Sequence, residues 1–464
     1  MPGRFTHTLT AAGVLGLLVV TACGCRCAHT PPSPTPAAAG FNTRDLIDPP
    51  AQEEAEELNP VHEFVVAAER FRKDRQEKLG GQSRREGGVG STQPDRNILC
   101  LSGGGSFGAY SAGVLVGWSE RGDRPCFDVV TGISTGALLA PFVFLGPKYD
   151  GQMREFYTTR ESKHLYKMKP LWGLCGESFM DTAPLAALIE GFLSDEAMRD
   201  LAEAHRAGRR LYVGTTEEEG RQFVVWDVGA IAERNGPGDR ALIVKILLGS
   251  SAAPGFFPAA KIDVTIDGVR HTERHIDGGV SQALFFRPPY LPPEHRSNVA
   301  ARDLAGAKVY AIVAGKLYAD AAVSRPWCLA QAATSVSTLL YAQTRGDLQR
   351  LYSVCLLTGM DYFVSAIPAE YPTPTSSTEF KPPVMLAMFE EGRRVILSPT
   401  PWRTSPPGVA QGESVLARAG TDLTYSPRGP LLPIGGPEGI STPPHYPVSE
   451  RGSIPAVPFQ PAAK

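Results

Sequence analysis

Val129-Val130-Thr131-Gly132-Ile133-Ser134-Thr135-Gly136-Ala137-Leu138-Leu139 reads as a short apolar strand, a Gly-x-Ser-x-Gly turn and the opening turns of an apolar helix. A strand that passes directly into a helix crowds its own backbone, and a glycine on either side of the serine lets neighbouring chain pass where a Cβ would clash. Ser134 is thereby raised to the edge of a sheet, at the N-terminal end of a helix beginning near Thr135, where developing negative charge is favoured. Ser134 is the candidate nucleophile, with Gly132 and Gly136 as its elbow glycines. The pentapeptide alone also fits a strand-to-helix connection without chemistry, so its reading depends on what stands around it.

Upstream, Asn97 to Ser102 is a compact apolar run that reads as a buried strand. Gly103-Gly104-Gly105-Ser106-Phe107-Gly108-Ala109-Tyr110 follows and leads into an apolar helix from Ala112 to Trp118. Backbone N–H groups of a glycine-rich loop at a helix start converge on one point and bind anions. Gly103, Gly105 and Gly108 satisfy the dinucleotide pattern, but that fold wants an acidic residue at the end of the next strand. Here the next strand, Phe127 to Thr131, has Asp128 at its start and the Ser134 elbow after its end. An oxyanion hole fits the order better, because adjacent parallel strands bring loop and elbow to one edge.

A serine nucleophile needs a base. The α/β-hydrolases place a histidine late in the chain, but His295 lies among prolines and charges and His445 falls in a proline-rich tail. His164 and His205 stand in charged surroundings that read as solvated surface, and His271 and His275 precede the best acid rather than follow it. That acid is Asp277, in Arg274-His275-Ile276-Asp277-Gly278-Gly279-Val280. A short strand ending in Asp-Gly-Gly sets a carboxylate at a sheet edge on backbone that can turn sharply. Asp-Gly alone is simply a turn, as Asp267-Gly268 between Val264 and Val269 is expected to be.

Taken in order, the glycine loop, the elbow, the stretch Gly249-Ser250-Ser251-Ala252-Ala253-Pro254-Gly255-Phe256-Phe257-Pro258 and the Asp-Gly-Gly turn resemble the patatin-like phospholipases. The likeness covers Asn97 to Val313. It implies a three-layer α/β/α fold around a mostly parallel sheet and acyl-ester hydrolysis on phospholipid or lysophospholipid. It also implies a Ser-Asp dyad and no metal or other cofactor in the catalytic step. Carried over by position, Ser134 is the nucleophile, Asp277 the base with Gly278 and Gly279 as its turn, and Gly103, Gly104 and Gly105 the oxyanion donors. Leu138, Leu139, Phe142, Phe256 and Phe257 are expected to line or support an acyl groove, although each would serve equally as core. Many relatives carry Arg or Lys where Phe107 stands, and many plant members carry Asp where Ser102 stands. Two alternatives stay open: a triad esterase, and a non-catalytic envelope lipoprotein that keeps the fold to bind a lipid or a protein partner.

The rest of the chain frames this core. Its 464 residues carry a formal net charge of −2, a balance that gives no footing for nucleic acid. Prolines gather at the two ends, which points to one large domain, 97–398, with extensions. Arg4 precedes an apolar run from Ala11 to Val20, too short to span a bilayer, and Val20-Thr21-Ala22-Cys23 resembles the lipobox of bacterial lipoproteins. The resemblance implies a signal peptide over 1–22, lipidation of Cys23, and a lipid-anchored place in the bacterial cell envelope; a plain secretory signal is the alternative. Residues 23–60 read as a Pro/Ala-rich tether. Residues 61–96 read as an amphipathic helix, Val61 to Lys78, whose basic residues form a solvated face, and a flexible lead-in. Beyond the core motifs, Lys308 to Val313 reads as a strand and Trp327 to Leu357 as a helix. Met385 to Phe389 and Arg393 to Leu397, split by Glu390-Glu391-Gly392, read as a closing hairpin. Residues 399–464 recur in proline, glycine and serine without period and are expected to lack a fixed fold. Cys100, Cys126, Cys175, Cys328 and Cys355 read mainly as small buried hydrophobes, with a disulfide among them left open.

Overall fold

Asn97–Leu101 (β1) and Val129–Ile133 (β2) are buried at every position, as strands must be when helices cover both faces of a parallel sheet. The structure, a computed structural model, describes residues 96–169, 178–266, 269–286, 304, 306–320, 328–374, 376–409 and 413. The expectations for the signal peptide, Cys23, the tether, the charged helix, Cys175, His295 and His445 therefore lie outside the described residues.

Five strands run parallel in the order Asp361–Ala366 (β10), Lys308–Val313 (β9), β1, β2 and Arg210–Glu217 (β5). Gln222–Asp227 (β6) pairs antiparallel with β5. Ala260–Ile266 (β7) and Val269–Asp277 (β8) form an antiparallel ladder with Ile266 opposite Val269. Lys167–Met168 (β3) and Met180–Asp181 (β4) make a small ladder of their own. Ten α-helices lie among the described residues: Gly108–Arg121 (α1), Thr135–Leu145 (α2), Asp150–Thr159 (α3), Ser162–Leu165 (α4), Ala183–Phe192 (α5), Asp195–Arg206 (α6), Val228–Arg234 (α7), Asp239–Ser250 (α8), Cys328–Thr358 (α9) and Pro382–Ile396 (α10).

Alternation along β1 assigns the faces. Leu99 and Leu101 pack with Tyr110 and Leu115 of α1, Leu139 of α2 and Phe389 of α10, whereas Ile98 and Cys100 pack with Leu348, Leu351 and Cys355 of α9. Helices thus cover both faces of a mostly parallel sheet, the three-layer α/β/α arrangement. Cys100 and Cys355 are buried as expected, while Cys126 and Cys328 are exposed. Burial pushes the Cys100 thiol up to about 12, so it packs as a neutral hydrophobe.

Two sequence expectations are corrected here. The supposed closing hairpin is the continuous helix α10, in which Met385, Met388, Phe389, Gly392 and Ile396 are buried at helical spacing. Glu390-Glu391-Gly392 looked like a turn because it is polar and ends in glycine. In the fold, Gly392 is where α10 meets α1: a Cβ there would run into the Tyr110 carbonyl oxygen. The ordered chain also continues past Pro399, since Arg403 bridges to Val364 and Trp402 packs 4.8 Å from Trp118, ring to ring.

Candidate functional site

The two edges of β5 bring the distant motifs together. β6 takes one edge from Tyr212 to Glu217. On the other edge β2 pairs only as far as Ile133 with Gly214, and β8 takes over from Thr215, which stands opposite Asp277. β2 and β8 run in opposite directions and end head to head, so the residues at their ends, Ser134 and Asp277, must meet. The Ser134 side chain stands close enough to the Asp277 carboxylate to pull its pKa down.

Ser134 has φ 53° and ψ −123°, a conformation that costs a residue with a Cβ of order 1–3 kcal/mol. The surroundings hold it there. Its N–H donates to Ser250 Oγ at 3.0 Å, and the Ser250 hydroxyl donates to the Gly214 carbonyl at 2.6 Å. The Ser251 hydroxyl donates to the Ser134 carbonyl at 3.3 Å. The elbow also needs room: a Cβ at Gly136 would stand 2.5 Å from the Leu101 carbonyl oxygen. Sequence reasoning gave Ser250 and Ser251 no role of their own; their signal was membership of the stretch Gly249 to Pro258 that carries part of the resemblance.

Asp277 is 9% exposed. Its N–H donates to the Ala252 carbonyl at 3.0 Å, and its Oδ1 accepts from the Gly279 N–H at 2.7 Å. Burial pushes its carboxyl up to about 6, against the pull of the Ser134 hydroxyl and the Gly279 N–H. Three residues of one stretch, Ser250 to Ala252, therefore touch both halves of the pair.

The glycine loop lies alongside, since a Cβ on Gly103 would be 3.2 Å from the Ser134 Cβ. One of its three expected donors is committed elsewhere. The Gly103 N–H donates to the Ala283 carbonyl at 3.1 Å, in the loop after β8. The Gly104 and Gly105 N–H groups make no hydrogen bond to described residues. Gly105 has φ 57°, and a Cβ there would strike the Ser377 carbonyl oxygen. Ser102 fixes the base of the loop: its hydroxyl donates to the Gly103 carbonyl at 2.8 Å and accepts from the Ala314 N–H at 2.9 Å.

Comparison of the sequence with protein families matches residues 99–290 to Patatin, the patatin-like phospholipases. The chain contains a patatin-like phospholipase domain. No curated protein matches the chain. Among solved structures, VipD from Legionella pneumophila aligns at 12% identity over 64% of this chain and 67% of its own, with a TM-score of 0.29. The type III effector ExoU aligns at 14% identity over 66% of this chain and 54% of its own, with a TM-score of 0.26. ExoU in complex with SpcU, from Pseudomonas aeruginosa, gives 13%, 66%, 53% and 0.28. The chain spans about half the length of ExoU. The family assignment rests on the sequence match, not on these alignments.

In the patatin-like domain no described histidine bonds Ser134. His275 is wholly buried two residues before Asp277, and both its ring nitrogens are engaged, Nδ1 with Thr215 Oγ1 at 2.9 Å and Nε2 with Glu273 at 3.0 Å. The Glu273 carboxylate can only accept, so the neutral ring carries its proton on Nε2 and Nδ1 accepts from the Thr215 hydroxyl, whose oxygen accepts from the Trp226 indole N–H at 2.8 Å. Burial holds the His275 pKa below its usual value. The cluster locks β8 to β5 at the register that places Asp277. His205 is not the solvated residue expected: its side chain is 11% exposed, between Asp227 at 3.5 Å and Glu233 at 3.4 Å.

The expected acyl-groove residues separate. Leu138 is half-buried on the first turn of α2, beside Ser134. Phe256 is 46% exposed, and the half-buried Phe257 lies 5.4 Å from the Tyr166 ring. Leu139 and Phe142 are core instead. Phe142 stacks 3.9 Å from Phe192, about 12 Å further along the helix than Ser134. Phe107 packs half-buried against the core.

Proposed function

We propose that this chain is a serine acyl hydrolase that cleaves phospholipid or lysophospholipid esters through a Ser134–Asp277 dyad. The single observation that carries the reading is a strained serine at the end of β2 facing, head to head, a buried carboxylate at the end of β8 whose carboxyl burial pushes up to about 6. A base poised near the working pH combines a large ionised fraction with real proton affinity.

In the proposed cycle, Ser134 Oγ bonds to the ester carbonyl carbon as its proton passes to Asp277. The carbonyl oxygen becomes an oxyanion, held by the Gly104 and Gly105 N–H groups and the positive end of α2. The C–O bond to the alcohol breaks, and the leaving oxygen takes the proton from Asp277, leaving an acyl-enzyme. Water then attacks the acyl carbon and gives its proton to Asp277. Fatty acid departs as the Ser134 oxygen recovers that proton. The Phe107 position supplies no charge, so every donor to the oxyanion in this scheme is backbone.

The lipobox reading supports a further part of the proposal: lipidated Cys23 keeps the enzyme on a membrane of the bacterial cell envelope, next to its substrate. The test of the catalytic reading is hydrolysis of a phospholipid and lysophospholipid panel by wild type, Ser134→Ala and Asp277→Asn. Fatty acid release by wild type alone supports it, and equal release by all three removes it.

A further inference from the structure

Helix α9 is longer than the sheet it crosses. Its 31 residues extend about 46 Å, while the six-residue strands it connects extend about 20 Å. β10 starts level with β9, Asp361 beside Lys308, so the C-terminal end of α9 lies at the start of these strands. Its packed part is the second half, where Asp347, Leu348, Leu351, Tyr352, Cys355 and Leu356 are buried. The first half overshoots the opposite edge, the one on which β2 ends at Ser134. Residues 331–340 are exposed without exception.

The overhang is joined to the serine site. Asp347 accepts from the Ala283 N–H at 2.8 Å, and the Ala283 carbonyl accepts from Gly103, the glycine against Ser134. The helix therefore leaves the sheet within two hydrogen bonds of the oxyanion loop.

Its surface chemistry is unusual for a projecting helix. No residue from Cys328 to Thr344 is charged. At about 100° per residue, Ala332, Ala333, Val336, Leu339 and Leu340 fall within one arc of about 120°. Gln331, Thr334, Ser335, Ser337 and Thr338 occupy the rest. Val336, Leu339 and Leu340 are 56%, 67% and 47% exposed. The threonine hydroxyls are spent within the helix, Thr334 on the Ala330 carbonyl at 3.0 Å, Thr338 on Thr334 at 2.9 Å and Thr344 on Leu340 at 2.8 Å. Such a polar face asks little of water and offers nothing to charged partners.

We propose that residues 328–344 of α9 dock on a lipid surface and bring the Ser134 edge of the sheet to the bilayer. This rests on the lipid-hydrolase reading for its purpose, though not for its physics. An apolar arc with an uncharged polar face inserts into gaps between neutral lipids, favours curved surfaces and ignores salt. Among the described residues no helix is long and apolar enough to cross a membrane, so α9 lies on the surface.

The test is hydrogen exchange of the full chain with and without small neutral phosphatidylcholine vesicles, at low and high salt. In parallel, hydrolysis of vesicle phospholipid is compared with that of a water-soluble short-chain ester. The expected result is at least tenfold slower exchange over 328–344 with vesicles, unchanged by salt. Val336→Asp with Leu340→Asp should lose that protection and about tenfold of vesicle hydrolysis, and keep soluble-ester hydrolysis and thermal stability. Protection by vesicles in a chain that hydrolyses neither substrate supports the docking and removes the hydrolase reading. Exchange indifferent to vesicles overturns the proposal. So does protection that grows with protein concentration alone, which marks a second copy as the occupant, or protection without vesicles that is independent of concentration, which marks another segment of this chain.

Discussion

Asp277 and Asp347 are both buried near the glycine loop, both are raised in pKa by that burial, and they are held in opposite ways. Asp347 accepts from the Ala283 N–H at 2.8 Å and pairs with Arg350 at 3.3 Å. Its charge is spent on fixing α9 to the loop after β8. Asp277 takes one amide, from Gly279, stands beside the Ser134 hydroxyl, and pairs with no cation among the described residues. The difference teaches what separates a structural carboxylate from a base: burial alone is not enough, and a proton must be within reach of an oxygen that nothing else has neutralised.

The largest expected effect is at the hydroxyl. Ser134→Ala should lower ester hydrolysis by about 10⁴-fold or more, measured as initial rates on phospholipid, with the fold unchanged by circular dichroism. Asp277→Asn should cost about 10³-fold or more on the same assay, and the same exchange at Asp347 should cost under tenfold. A larger loss at Asp347 than at Asp277 would invert the comparison.

Next is stability. The Asp277 carboxyl sits at about 6 in the fold against an ordinary 3.8. Below about pH 3 it is protonated whether folded or not. As pH rises through 6 the fold must carry a buried charge and loses up to about 3 kcal/mol of stability that protonation had preserved. Asp277→Asn escapes this loss. Denaturant melts should show the variant more stable than wild type at pH 8 and equal to it at about pH 3, a gain in stability at the position where activity is lost.

Smaller still is the loop. Gly105→Ala adds a Cβ against Ser377 at a positive φ and should cut turnover about 100-fold, the worth of one lost oxyanion donor. Gly122→Ala also sits at positive φ, with nothing within 4 Å. It should cost about 1 kcal/mol in melts and leave turnover alone.

The elbow, the loop and the Asp-Gly-Gly turn were legible in the sequence because each is a local backbone device: glycines where chains cross, a serine between strand and helix. β1 and β2 were legible as continuous apolar runs. What local reading could not supply were pairings between distant residues. The loss of the Gly103 donor depends on Ala283, and the support of Ser134 depends on Ser250 and Ser251, more than a hundred residues on. α10 was misread because Gly392 carries the same letter whether it turns a chain or lets two helices touch. Phe142 stood open between groove and core because an apolar helix looks alike from either side.

The central claim is that Asp277 accepts the Ser134 proton, and the most direct measurement is the pH dependence of fluorophosphonate labelling at Ser134. In wild type the labelling rate should fall tenfold per pH unit below about 6 and level off above it. In Asp277→Asn it should be slow and flat across the same range. A wild-type rate that stays level from pH 5 to 8, or an Asp277→Asn rate equal to wild type, would contradict the account.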